Sequence, residues 1–184
     1  MSTLTVLDLE PRCLAFFDHW KSLRHGELVP TVENFLDRPS VQHAPQVFMV
    51  EVEGDTMIPR LHGTAIAARW SRDLTARKIH DDLDKGHLKE LLANHRTVMA
   101  HPCGCYLLNE YVTASGGISR VRVIYLPLFS KPGRPPRVVG YTCELDSQLG
   151  DELFSDWHAT MEAAWIDLGA GLPAFAPRLP GKQP

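Results

Sequence analysis

Apolar residues recur along the chain with two periods, and the switches between them divide it into elements. Cys13, Phe16, Phe17, Trp20 and Leu23 fall at helical spacing, which predicts a helix over residues 10–25, opened by Pro11 and stopped at Gly26. Val32, Phe35 and Leu36 predict a short helix in a connector punctuated by Pro30, Pro39 and Pro45, and Ser40 is placed to cap a turn through His43. The period then drops to two. Val47–Glu53 and Arg60–Ala67 read as strands about a Gly54-Asp55 turn, with Phe48, Val50 and Val52 on the better candidate core face. Gly63 marks a close approach to the backbone, more often by packing than by a ligand. Asp73 predicts the cap of a short helix towards Ile79. Over residues 84–100, Leu88, Leu91, Leu92, His95, Val98 and Met99 line one face of a longer helix. Strands at 103–113, 119–129 and 137–145 follow as a meander joined by glycine and proline loops. A last row, Leu149, Leu153, Trp157, Met161 and Trp165, repeats every fourth residue and predicts a C-terminal helix over residues 149–168.

These elements predict an α+β fold: a five-stranded antiparallel sheet with helices on one side, flanked by N- and C-terminal helices. The expected division is an N-terminal flanking helix (1–29), a core (30–147), a C-terminal helix (148–169) and a poorly ordered, proline-rich tail (170–184). The ridge of Trp157 and Trp165 needs a cover, either on this chain or on a second copy of it.

Composition narrows the function classes. A net charge of -3 over 184 residues is unlike a nucleic-acid surface, and no apolar run is long enough to insert in a membrane. Met1-Ser2-Thr3-Leu4-Thr5 is not a secretory signal, so the expectation is a cytoplasmic protein with its four cysteines reduced. No Gly-x-Ser-x-Gly elbow or phosphate loop is present, and the acids of Asp81-Asp82-Leu83-Asp84 suit a helix start, so a non-catalytic protein is expected. His101, Cys103 and Cys105 alternate along an extended segment and are zinc-ligand types, but Cys-x-Cys lacks a matching second pair. Two buried thiols are the favoured reading there, and no metal site is expected. Lys131, Arg134 and Arg137 form a basic, solvated loop.

Several motifs, in order, resemble a proteobacterial single-domain PAS-like family. They are Trp20, Arg24, Gly26, Pro30, Pro39, Pro45 before Val47-Phe48, Arg60-Leu61-His62-Gly63-Thr64, Asp73-Leu74-Thr75 and Tyr125-Leu126-Pro127-Leu128, across about residues 14–146. The order helix, two strands, short helices, longer helix, three strands is similar to that of a PAS domain. Members of the family often carry glycine where this chain has Ser71 and Ala76, so a less sharp turn is expected. The resemblance implies a PAS fold with a part in signalling or regulation, and supplies no catalytic residues.

The expected pocket lies between the sheet and the 84–100 helix, built from Leu92, His95 and Met99 with Leu61, Tyr106 and Tyr125. Its cofactor is unknown. A ligand there would bias how the terminal helices pack. The leading reading is a sensory module that binds a small molecule or a signalling partner; a ligand-free dimerisation module is the alternative. A third is a haem sensor through His95, because haem-binding PAS domains generally take the iron through a histidine on this helix. The plainer role for His95 is a hydrogen bond to a backbone carbonyl at the rim of the core. His87, on the same helix, is expected to be exposed. A homodimer is the expected assembly.

Overall fold

A computed structural model describes residues 9–77, 85–145 and 153–179. In α1 (Pro11–Ser22), Pro11 fills the first helical position, and the Glu10 carboxylate accepts the N–H groups of Arg12 and Cys13 at 2.8 and 3.2 Å. In α2 (Val32–Asp37), Thr31 is the cap. A 3-10 turn at Ala44–Gln46 delivers the chain to β1 (Val47–Glu53) and β2 (Thr56–His62). Then come α3 (Thr64–Arg69), α4 (Lys85–Ala100), β3 (Cys103–Thr113), β4 (Ile118–Leu128), β5 (Arg137–Glu144) and β6 (Phe154–Asp167). The strands form one antiparallel sheet in the order β2-β1-β5-β4-β3-β6.

The sheet therefore has six strands, not five, because the segment expected as a C-terminal helix is the edge strand β6. A four-residue repeat is also a multiple of two, so it fits a strand. The pairing of β6 with β3 slips three times, leaving Met161, His158 and Ser155 without partners, and all three are exposed. These bulges put Trp157, Thr160 and Ala163 three residues apart along the chain, which imitates helical spacing. Leu149 and the start of the expected helix lie outside the described residues.

The second strand ends sooner than expected. β2 stops at His62, and Gly63 caps α3 where strand had been expected to run to Ala67. A Cβ on Gly63 would lie 2.3 Å from the Pro45 carbonyl oxygen, so backbone packing makes the close approach there. Arg60 is committed to structure. Its guanidinium donates to buried Glu51 at 3.0 and 3.2 Å, and Arg137 adds a third bond at 3.0 Å. Burial pushes the Glu51 carboxyl up, but these bonds outweigh it and hold the group below the ordinary range. Asp73 caps a turn through Thr75 (2.8 Å to its N–H), not a helix, and the expected continuation past Arg77 lies outside the described residues. Nor is the turn blunted: Ser71 and Ala76 adopt left-handed φ of 50° and 63° without glycine.

Helices cover both faces of the sheet, against the expectation of one. On the back, α1 and α2 bury Phe16, Trp20, Val32 and Phe35 against Met49, Ile124, Leu126 and Val139. Phe16 stacks on Tyr141 at 5.1 Å, and Trp20 Nε1 donates to the Pro127 carbonyl at 3.0 Å. On the front, α4 packs over Val50, Cys105, Leu107, Val121, Val123 and Tyr125. Trp157 and Trp165 are buried within their own chain, so no aromatic ridge is left for a partner.

The tail is pinned through residue 179, contrary to expectation. Asn94 on α4 holds the Arg178 backbone at both its N–H and its C=O (2.9 and 2.8 Å), Glu90 pairs with the Arg178 guanidinium, and Trp165 Nε1 donates to Phe175 O at 2.7 Å. The buried Asn94 amide is thereby satisfied on both sides.

Candidate ligand cavity

Between the front of the sheet, α3 and α4 lies a cavity of ≈ 190 Å³. Its floor is Val121, Val123, Tyr125 and Leu107; Leu91 and His95 come from α4, Ile66 and Arg69 from α3, and Trp70 from the cap at its end. Phe48 closes one side. Its ring lies against Gly140, where a Cβ would fall 2.1 Å from the ring, and meets Tyr125 edge-on at 5.6 Å. At the other side Tyr111 stacks on Phe154 at 4.8 Å, and Trp70 meets both edge-on.

The polar groups of the wall are largely paired. Arg69 and Glu144 form an ion pair, with Nε to Oε1 at 2.7 Å. Thr160 donates to Asn109 Oδ1 at 2.8 Å, and Asn109 Nδ2 donates to the Tyr111 hydroxyl at 3.3 Å. Burial holds the His95 imidazole down to about 4, only partly opposed by its bond to the Leu91 carbonyl (2.8 Å). His62 is likewise lowered by burial, with Asp73 pulling up and Arg72 down. Burial first, then Tyr111 and Cys105, holds the Tyr125 phenol well above the ordinary range. At neutral pH these histidines and phenols are uncharged, and the Arg69–Glu144 pair balances itself. Such a chamber suits a small neutral molecule with a large apolar surface.

A family model described as a PAS domain matches residues 10–143. The chain belongs to the PAS domain family. A comparison with curated proteins finds no match. PAS domains are in general sensory and regulatory modules that are not themselves catalytic. No helix among the described residues is long and apolar enough to cross a membrane.

Of the six pocket residues expected in this PAS domain, the fold brings His95 and Tyr125 together on the cavity wall, with ring centroids 4.6 Å apart. Leu92 packs instead with Met57 and Leu88, and Met99, near the end of α4, packs against the front core away from the cavity wall. Leu61 and Tyr106 are on the back face, where the Tyr106 hydroxyl accepts the Glu10 N–H at 2.9 Å. His87 is buried, not exposed, and stacks on Trp157. Cys103 and Cys105 are fully buried on the front, while Cys143 points to the back, so the three do not gather. His101 reaches away to the Gly171 carbonyl at 3.0 Å.

The residues present do not fit a haem. The bond from His95 Nδ1 to the Leu91 carbonyl leaves Nε2 free to ligate, but the Tyr125 ring crowds the imidazole at 4.6 Å, and a ≈ 190 Å³ cavity is below even the ~300 Å³ at which drug-sized pockets begin. Sequence reasoning missed Ile66, Arg69, Trp70, Asn109, Phe154 and Thr160. Ile66 and Arg69 lie on α3 and Trp70 caps its end, a segment taken for strand or turn, and two lie on β6, of which Thr160 fell off the helical stripe. Phe154 and Trp157 carried the one available signal, aromatic residues needing cover.

Proposed function

We propose that this PAS domain is a non-catalytic sensor that binds a small, neutral, mainly apolar molecule between the sheet and α4, and passes occupancy to a partner through the tail after β6, a C-terminal strap over residues 170–179. The observation that carries the reading is the cavity itself. Close-packed interiors rarely keep a space this large, and a dry apolar void of ~150 Å³ is enough to bind benzene. A one- or two-ring aromatic molecule with a single hydrogen-bonding group matches the wall, with Asn109, Thr160 or Tyr111 meeting the polar edge.

α4 links the cavity to the surface. Leu91 and His95 face the ligand space, while Glu90 and Asn94 hold Arg178 of the strap. A ligand that shifts α4 changes the bonds that keep the strap docked, which is a population shift between docked and released states. Leu172, Phe175 and Leu179 are exposed along the strap and offer an apolar surface to a signalling partner.

Native mass spectrometry of the full chain, followed by ligand-observed NMR with indole as the probe, tests this. Retained mass or saturation transfer to indole is expected, and both are lost in Ile66→Trp, which fills the cavity. No retained mass together with no transfer to indole would sink the sensor reading.

A further inference from the structure

On the back of the sheet, away from the cavity, the first turn of α1 meets β5 in a cluster that the sensor reading leaves unused. Glu10 and Cys13 stand three residues apart, so one helical turn turns both towards the sheet, and Cys143 points back at them from β5. A Glu10 carboxylate oxygen and the sulfurs of Cys13 and Cys143 all lie within 4.8 Å of one another. Both thiols are fully buried, whereas the Glu10 side chain keeps 18% of its surface in solvent, which provides an entry route.

We propose that Glu10, Cys13 and Cys143 form a binding site for a zinc-type divalent cation, with two thiolates, one carboxylate and a water in the fourth position. Zinc bonds of ~2.3 Å to sulfur and ~2.0–2.2 Å to oxygen put tetrahedral ligand atoms roughly 3.5–3.8 Å apart, so no pair in the cluster closes by more than about 1 Å on loading. A carboxylate offers about four lone-pair sites. Arg12 N–H, Cys13 N–H and Arg12 Nε occupy three of those on Glu10, and the Cys143 thiol hydrogen-bonds the carboxylate as well, a bond given up to the ion when the thiol loses its proton. Paired thiolates select zinc, cadmium or cobalt over the hard cations calcium and magnesium.

The charges balance in this setting. On binding, both thiols release their protons to solvent, two metal–sulfur bonds and one metal–carboxylate bond replace bonds to the waters of the hydrated ion, all but one of which leave, and no electron changes hands. Two positive charges against three anionic ligands leave one net negative charge. That charge lies at the positive end of α1, beside the Arg12 guanidinium, which bonds Glu10 Oε1 at 3.1 Å and the Glu144 carbonyl at 2.7 Å. The ion would clamp the start of α1 to β5 and so fix the helix that seals the back face.

Cobalt(II) titration of the full, reduced chain tests the site. A thiolate-to-cobalt charge-transfer band is expected to saturate at one metal per chain and to bleach when zinc is added. The band is lost in Cys13→Ser and in Cys143→Ser, weakened in Glu10→Gln, and kept in Cys103→Ser. Because a buried serine can unfold the chain, cadmium NMR of the unaltered protein gives a second readout, a resonance in the range of mixed sulfur and oxygen ligation. No band and no such resonance overturns the proposal, as does a band that survives in both Cys13→Ser and Cys143→Ser or vanishes in Cys103→Ser.

Discussion

The two faces of the sheet are built from the same kinds of residue and reach opposite ends. On the back, Phe16, Trp20, Leu126 and Leu128 have no exposure, and the main chemistry is the filling of space. On the front, α3 and α4 stand over Val121, Val123 and Tyr125 yet leave ≈ 190 Å³ unfilled. The strands themselves do not differ, since each carries apolar residues to both sides. What differs is the cover. α1 lays a continuous stripe of large side chains on the sheet, whereas α3 is a short helix with no fully buried residue and leans on the Arg69–Glu144 pair. A sensor needs one face to hold the fold while the other stays open to exchange, because elements that move on binding come from the less stable end of a structure.

Truncation on each face separates them most sharply. Trp20→Ala removes a fully buried ring and the bond to the Pro127 carbonyl, and it is expected to cost about 4 kcal/mol. Ile66→Ala enlarges a space that already exists and is expected to cost about 1 kcal/mol. Urea unfolding of both variants measures the contrast. Equal losses would mean that the front is packed as tightly as the back.

Proton uptake gives the next largest difference, and it belongs to the front. In the unfolded chain His95 takes its proton near 6.5, but in the folded chain only near 4. Because the folded value is depressed, the stability is present in full above 6.5 and is lost as pH falls through 6.5 towards 4. The loss amounts to about 3 kcal/mol at most. His62 is lowered for the same reason, burial, and acts in the same direction. Stability measured from pH 7 to pH 4 should fall in the parent and fall markedly less in His95→Gln, whatever the absolute stability of that variant. Equal slopes would rule out His95 as the source.

The faces also differ in how far the sequence disclosed them. α1, α2, α4 and the three-strand meander were legible, because each has one period sustained over its length and a proline or glycine to end it. The stripe that carries Trp20 was legible, but whether it would cover the sheet or a second copy was not, and the structure packs it on the back face. The cavity was half legible. His95 and Tyr125 lie on elements with a clear period, and the fold carries both to the wall. Ile66, Arg69 and Trp70 were hidden because Thr64–Arg69 is six residues, too short to show a period against the strand before it. Thr160 was hidden because three bulges in β6 replace strand spacing with helical spacing. Which of two buried faces a strand residue joins is set by what covers each face, so Leu61 and Tyr106 could not be sorted from Tyr125 by alternation alone. The grouping of Cys13 with Cys143 depends on α1 crossing β5, a contact between distant parts of the chain.

The smallest effect concerns the segment that leads away from α3 along the mouth of the cavity. Ser71 and Ala76 sit at φ of 50° and 63°, a region that costs a residue with a Cβ about 1–2 kcal/mol. The turn persists because neighbours hold it. Ser71 N–H bonds the Ala68 carbonyl at 3.1 Å, Ala76 N–H bonds Pro59 at 2.8 Å, and Asp73 closes on Thr75 between them. Glycine would relieve the strain but also loosen the unfolded chain, returning about 0.4–1 kcal/mol of the gain. Ser71→Gly and Ala76→Gly are therefore each expected to stabilise the fold by about 0.5 kcal/mol, read as a small rise in urea midpoint at unchanged slope. A fall in midpoint would show that the turn is not left-handed at these positions. A rise would show that the front face tolerates stored strain beside its cavity, while at the cap of α3 Gly63 is kept because the Pro45 carbonyl leaves no room for anything larger.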